Sequence, residues 1–225
     1  MPTALGLIAT LLCTSAPPQT PPIFQPGAPG RPPRTISAAE AVGMSRTGFT
    51  AEDVRFMQHM LVHHAQAVEM VALLRDHGAD PTVRRLGERI AASQAAEMAL
   101  MRDWLGSRGQ PATAPDLHAG HGQHADRGAL AAADVPLMPG MLSPARMQAL
   151  AAARGPAFDQ LFLEGMIQHH RGALDMVDAL MALPDAGEEP LLSDFLSSVV
   201  ADQSAEILRM QTLLSDLNPT PEERP

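Results

Sequence analysis

The chain has 225 residues and a formal net charge of −9, and 45% of it is apolar. That length suits one sizeable core or two small ones, the apolar fraction excludes a wholly disordered chain, and an acidic chain without a lysine- or arginine-rich block is a poor fit to nucleic acid. The single cysteine, Cys13, excludes an intrachain disulfide and a thiolate cluster, so a metal site must draw on histidine, methionine or carboxylates.

In chain order, the first feature is a short apolar run, ALGLIATLL at 4–12. It is shorter than the roughly 20 residues a membrane-spanning helix needs, but it suits the apolar part of an export signal, followed by small residues at Thr14, Ser15 and Ala16. Residues 1–16 are therefore expected to be a signal segment, and the protein periplasmic or secreted. Cys13 leaves open a lipid anchor and membrane association through this segment. Residues 17–48 follow as a linker, and their 17–34 portion, PPQTPPIFQPGAPGRPPR, is Pro-rich and expected to stay extended without a core of its own.

The folded part is expected over 49–218. The core must be built from Leu, Val, Ala and Met, because there are 14 Met against 6 Phe, 1 Trp and no Tyr; that mix favours helices. Thr50 and Asp53 form a capping-box pair that opens a helix from Ala51 to about Asp76, ended by Gly78. Asp80-Pro81 opens a second to about Ser107. A connection over 109–142 carries HAGHGQH at 118–124 and MPGM at 138–141. Ser143-Pro144 opens a short helix to Arg154, Gly155-Pro156 a long one to about Leu183, and a last helix runs from about Leu191 to Leu217. Strand-like alternation is not evident, and 219–225 reads as a disordered tail.

The strongest signal is an internal repeat. Residues 53–74 and 159–180 share 9 identities in 22 positions. They are Asp53, Phe56, Met60, His63, His64, Ala67, Met70, Val71 and Leu74, matched by Asp159, Phe162, Met166, His169, His170, Ala173, Met176, Val177 and Leu180. At about 100° per residue all nine fall on one face about 120° wide, the width of a core-facing stripe. The following helices repeat as well: Gln94, Glu97 and Met101 match Gln203, Glu206 and Met210. The unit is thus a helical hairpin present twice (50–108 and 143–218), and two such hairpins bury their stripes by pairing into an all-α four-helix bundle.

The stripe carries the candidate chemistry. A buried imidazole has one N–H and one lone pair to satisfy, and leaving either unpaired costs about 1–3 kcal/mol. Hydrogen bonds to Gln94, Glu97, Gln203 and Glu206 are one answer; a metal ion is the other. Met70 lies seven residues past His63, about 10.5 Å along the axis, so it cannot share one ion with Met60. Each helix can therefore offer two ligands to a site, and bringing the copies together would gather Met60, His63, His64, Met166, His169 and His170. The Glu-x-x-His pairs of carboxylate-bridged iron bundles are missing. Thioether with imidazole favours Cu(I) and its analogue Ag(I), although another transition metal such as zinc could use the histidines. His118, His121 and His124 could hold a divalent ion weakly. Met138 and Met141 could pack a turn. His59 is off the shared face, with Gly165 in its place in the second copy, and His77 sits at a helix C-terminus.

The ordered motifs FMQHMLVHHAQAVEM, SQAAEMALMRDWL, MPGMLSPARMQAL, FDQLFLEGMIQHHRGALDM and DQSAEILRM resemble the domain of unknown function 305 family over roughly 50–215. Gly165, where a bulkier residue is common, and Val62, where many members have Pro, depart from its pattern. That family is described as ferritin-like four-helix bundles, usually exported, some of them linked to copper binding and copper tolerance. The resemblance implies metal contacts at His63, His64, His169 and His170 and at the methionines around them, Met60, Met166, Met70, Met176, Met101 and Met210. Glu97, Glu206, His118, His121, His124, Met138 and Met141 are weaker candidates. The leading expectation is a non-enzymatic, exported Cu(I)-binding protein for sequestration, tolerance or trafficking. A ferritin-like redox enzyme and a metal-free structural or interaction bundle are the alternatives, and homo-oligomerisation stays open.

Overall fold

A computed structural model of the chain describes residues 23–25, 32–38, 40–41, 48–114, 134 and 136–217. The apolar run at 4–12, Cys13 and the loop histidines His118, His121 and His124 lie outside the described residues. The chain divides into two units, 1–46 and 47–225.

The first unit departs from the loose linker expected of a Pro-rich segment. Strands β1 (Ile23–Gln25) and β2 (Arg34–Ile36) pair antiparallel, with Phe24 opposite Thr35. The physical reason lies in four residues set among the prolines: Ile23, Phe24, Thr35 and Ile36 are strong strand formers. A side-chain bond from Arg34 Nε to Gln25 Oε1 (2.6 Å) closes one end of the ladder.

The second unit is helical. Its elements are α1 (Ala51–His77), α2 (Pro81–Ser107), α3 (Pro144–Ala152), α4 (Pro156–Met181) and α5 (Pro190–Leu217). The start signals work as their chemistry requires. Thr50 and Asp53 form a complete capping box on α1, Asp80 accepts from the Thr82 and Val83 amides on α2, and Ser143 caps α3. Pro at the first turn of α2, α3 and α4 removes a donor that would have had no partner there. α2 packs on α1, α5 packs on α4, and α1 packs on α4, so the two hairpins meet through their histidine-bearing helices.

Two buried aspartates lock the hairpins together. Asp53 accepts from the Gly187 amide (2.8 Å) in the turn of the second hairpin. Its counterpart Asp159 accepts from Ala79 and Asp80 (2.8 Å to the latter) in the turn of the first. Each repeat thus reaches across to satisfy the other's loop backbone, which explains why an aspartate stands in the shared stripe of both copies although only Asp53 also caps its helix.

The nine shared residues form the stripe the periodicity predicts. All are buried in each copy except Val71 in the first and Met176 in the second, which are half-buried. The core they build is not continuous. One apolar cluster takes Phe56–Leu61 of α1, Met101–Leu105 of α2, Ala173–Leu180 of α4 and Leu192–Val199 of α5. The other takes Ala67–Leu74, Val83–Ile90, Phe158–Ile167 and Ile207–Met210. In all four long helices the break falls near the middle, at His63-His64, Gln94–Glu97, His169-His170 and Gln203–Glu206. The bundle is two apolar halves with a polar layer between them.

Candidate metal centre

The layer is assembled by near-twofold repetition. His64 and His170 donate through Nε2–H to Glu97 Oε2 (2.6 Å) and Glu206 Oε2 (2.7 Å). All four histidines are fully buried, while the two carboxylates keep a small exposed edge. His63 and His169 face each other across the hairpin interface, with ring centroids 3.8 Å apart. Neither uses a glutamate. His63 Nε2 lies 3.0 Å from the Pro139 carbonyl, and His169 Nε2 lies 2.9 Å from the His63 carbonyl.

Those two carbonyls fix the protonation chemistry. A carbonyl only accepts, so Nε2 of His63 and His169 must carry the hydrogen. Burial pushes the His63 imidazole from 6.5 down to about 3; the Pro139 hydrogen bond resists the fall, and His64 and His170 add to it. Burial likewise holds His169 well below the ordinary range, with His63, His170 and His64 reinforcing it. Both rings are therefore neutral at pH 7, and each presents a bare lone pair on Nδ1, the form in which an imidazole binds a metal.

Sequence reasoning missed how the connection helps to build this site. The turn MPGM at 138–141 lies across α4, with Gly140 at φ +74°. A Cβ on Gly172 would come within 2.2 Å of the Pro139 carbonyl oxygen, so only glycine there lets the turn lie that close. The equivalent position in α1 is Gln66. Its amide holds the Leu142 backbone from both sides, with Nε2 donating to the carbonyl (2.9 Å) and Oε1 accepting from the N–H (2.7 Å). Gln168 donates to the carbonyls of Gly140 and Met141. One repeat position thus serves the turn in two opposite ways, and the result is a carbonyl on His63. Gly165 has a similar reason: a Cβ there would meet Leu142 and the Met70 methyl at 3.1 Å.

The structure separates the methionines into two sets. Met60 and Met101 are buried in one apolar cluster, with Met176 packed against it. Met166, Met210 and Met70 are in the other. Under the repeat, 60 maps to 166, 101 to 210 and 176 to 70, so the sets are equivalent and lie on opposite sides of the layer. Met60 and Met166 are consequently not gathered in one place, whereas the histidines of both copies are. Met138 and Met141 are buried and flank the carbonyl that holds His63. His77, at the end of α1, takes Arg154 Nη1 at Nδ1 (3.1 Å) and packs edge-on against Phe158, away from the layer. His59 is half-buried and lines a separate small cleft with Glu52 and Met176.

Buried polar atoms without a partner are the most informative feature. Among the described residues eight buried side-chain nitrogen or oxygen atoms have no hydrogen-bond partner, and all eight lie in the layer: Nδ1 of His63, His64, His169 and His170, and both amide atoms of Gln94 and Gln203. Native proteins leave few such atoms, because each costs about 1–3 kcal/mol. Eight of them would rival a typical folding stability of about 5–15 kcal/mol. Their clustering marks a site whose donors and acceptors are reserved for something other than this chain. Among the described residues no three His, Cys, Asp or Glu groups converge to hold one ion by themselves. An ion here would have to combine imidazoles with thioethers or other donors.

The layer also has a route to its edge. A groove of about 960 Å3 runs between α2 and α5, lined by Leu100, Trp104, Leu191 and Phe195 with Asp103, Asp202 and Glu97. Glu97 therefore faces the groove while bonding the fully buried His64 ring.

Residues 53–214 match the family described as Domain of unknown function (DUF305). Two solved structures are similar at 31% identity: a DUF305 fragment from Deinococcus radiodurans (TM-score 0.59, 75% of this chain and 98% of that one) and a putative secreted protein DUF305 from Streptomyces coelicolor (TM-score 0.57, 75% and 96%). CopM in its Cu(I)-bound form is similar in fold at 23% identity, TM-score 0.54, covering 76% and 99%. CopM in its Cu(II)-bound form gives 24% identity and TM-score 0.51. No protein of curated function matches the chain.

Proposed function

We propose, from the premise that the chain belongs to the domain of unknown function 305 family, that it is an exported, non-enzymatic copper-binding protein whose ion sits in the mid-bundle histidine layer. The observation that carries this reading is the set of four orphaned Nδ1 atoms in rings whose Nε2 atoms are already engaged. A carboxylate or carbonyl on the far nitrogen of a ligating histidine is the usual arrangement behind a metal: it fixes the tautomer and makes the ring a better donor. The donor chemistry fits copper. Imidazole is borderline and thioether soft, and a Cu(I) site can be completed by one of the two methionine sets. The equivalence of those sets supports two related half-sites, one on each side of the layer.

Pairs of imidazoles drawn from His63, His64, His169 and His170 would hold copper in each half-site, with Met60, Met101 and Met176 or Met166, Met210 and Met70 supplying sulfur. Glu97 and Glu206 would orient His64 and His170, and the Pro139 and His63 carbonyls would orient His63 and His169. Bound copper would supply a sequestered or transferable charge. The rest of the chain holds the rings and excludes water. CopM is a protein of this fold in Cu(I)- and Cu(II)-bound forms, and a relative at 31% identity carries the description of a putative secreted protein. Both agree with this reading, as does the apolar run at 4–12.

Thermal melts of the full chain with Cu(I), Ag(I) and Zn(II) test it. A ligand that binds only the native state at 100 times its Kd adds about 2.7 kcal/mol, so Cu(I) and Ag(I) should raise Tm markedly and Zn(II) less. No shift with Cu(I), or an equal shift after all four histidines are changed to Ala, would sink the proposal.

A further inference from the structure

Resting on the copper reading, we propose that Gln94 and Gln203 are ligand residues of the same layer, supplying amide oxygens that let it take Cu(II) as well as Cu(I). Sequence pattern alone gave them no role beyond hydrogen bonding to histidine, and they make no such bond. Each side chain is 1% exposed, and neither its Nε2 nor its Oε1 has a partner. The two stand at equivalent mid-helix positions, one turn before the glutamates that hold His64 and His170. That turn is about 4.5 Å of axial rise, which keeps the amides in the same layer as the rings.

An inventory of the orphaned atoms shows what they require. The layer offers six lone-pair atoms, four Nδ1 and two Oε1, against two amide NH2 groups. An excess of acceptors calls for a cation or for proton donors and disfavours an anion. The buried positions that flank the Gln–Glu pairs on the same faces are apolar, Ile90 and Met101 on α2 and Val199 and Met210 on α5. Leucine would fill the two glutamine positions without stranding polar groups.

The chemistry divides between the two oxidation states. Thioethers lie on either side of the layer and are soft donors suited to Cu(I). Amide oxygen is a hard donor that contributes little to Cu(I) and more to Cu(II), while imidazole serves both. A layer built only for Cu(I) would need the sulfurs and the rings and would leave the glutamines unexplained.

The test uses the full chain as wild type, Gln94→Leu/Gln203→Leu and Gln94→Glu/Gln203→Glu. Cu(II) affinity is read by titration with electron paramagnetic resonance, Cu(I) affinity by anaerobic competition with a chromophoric chelator, and copper-free Tm by calorimetry. The Leu pair should weaken Cu(II) about tenfold or more, leave Cu(I) unchanged, and hold or raise the copper-free Tm, because it removes four orphaned atoms. The Glu pair should strengthen Cu(II) relative to Cu(I). Unchanged Cu(II) affinity in the Leu pair, or equal loss of both ions, overturns the inference. If the Leu pair does not fold, absence of a Cu(II) gain in the Glu pair overturns it. A wild type that binds neither ion instead overturns the copper reading beneath it.

Discussion

The two hairpins are close to copies where they carry polar chemistry and differ where the chain must connect them. His64–Glu97 and His170–Glu206 are the same pair at 2.6 and 2.7 Å. Asp53 and Asp159 make the same reach into the opposite turn. The other two histidines part company: His63 leans on a carbonyl of the 138–141 turn and His169 on a carbonyl of α1. A duplicated hairpin has one linker and cannot place it twice, so the second copy gives up a side chain at Gly172 to make room, and the first spends Gln66 on clamping the same turn. The lesson is that the asymmetry belongs to the connection and the symmetry to the polar layer.

Acid should break both halves together, and this is the broadest effect expected. His63 and His169 have folded pKa values below the ordinary one. The unfolded chain therefore binds more protons at low pH, so stability is intact above about 6.5 and falls as pH drops from there toward about 3. Urea midpoints between pH 8 and pH 4 check this, and His63→Ala should flatten the dependence. A flat profile in the parent protein would contradict it.

The interlocking aspartates come next. Asp159→Ala removes the charge-assisted bonds to the amides of Ala79 and Asp80 and should cost about 3 kcal/mol. Asp53→Ala, which loses Gly187 and its own capping-box contact, should cost about 2–3 kcal/mol. Denaturant unfolding of both variants would show whether the lock is symmetric. A cost confined to one of them would mean that only one hairpin depends on it.

Smaller and unequal effects should follow at the paired position beneath the connecting turn. Gly172→Ala drives a methyl into the Pro139 carbonyl and should cost about 1–3 kcal/mol, with weaker copper retention because the brace on His63 shifts. Gln66→Ala removes two bonds at the rim of the same turn and should cost about 1–2 kcal/mol. If Gly172→Ala proved neutral in both stability and copper binding, the turn would have no part in positioning His63.

Much of the bundle was legible because its signals are local. Thr50-x-x-Asp53, Asp80-Pro81 and Ser143-Pro144 announce helix starts through backbone chemistry that hardly depends on the rest of the chain. The repeat then told which face was inside, since two copies that differ on their outer sides kept the same inner residues. Three features were not legible. The pairing of β1 with β2 depends on four strand formers scattered among prolines. The separation of Met60 from Met166 follows from the hairpins meeting with their helices reversed, so that equivalent residues fall on opposite sides of the layer. The carbonyl on His63 comes from a turn 76 residues away, and the residues that seat that turn, Gly172, Gln66 and Gln168, carry no local signal that points to it.

Anomalous diffraction at the copper edge from crystals of the copper-loaded full chain tests the mid-bundle site most directly. Copper is expected inside the bundle, bound by Nδ1 of histidines from both hairpins and by sulfur from one or both methionine sets. Copper found only outside the bundle core, with the four Nδ1 atoms bonded to ordered water, would contradict it.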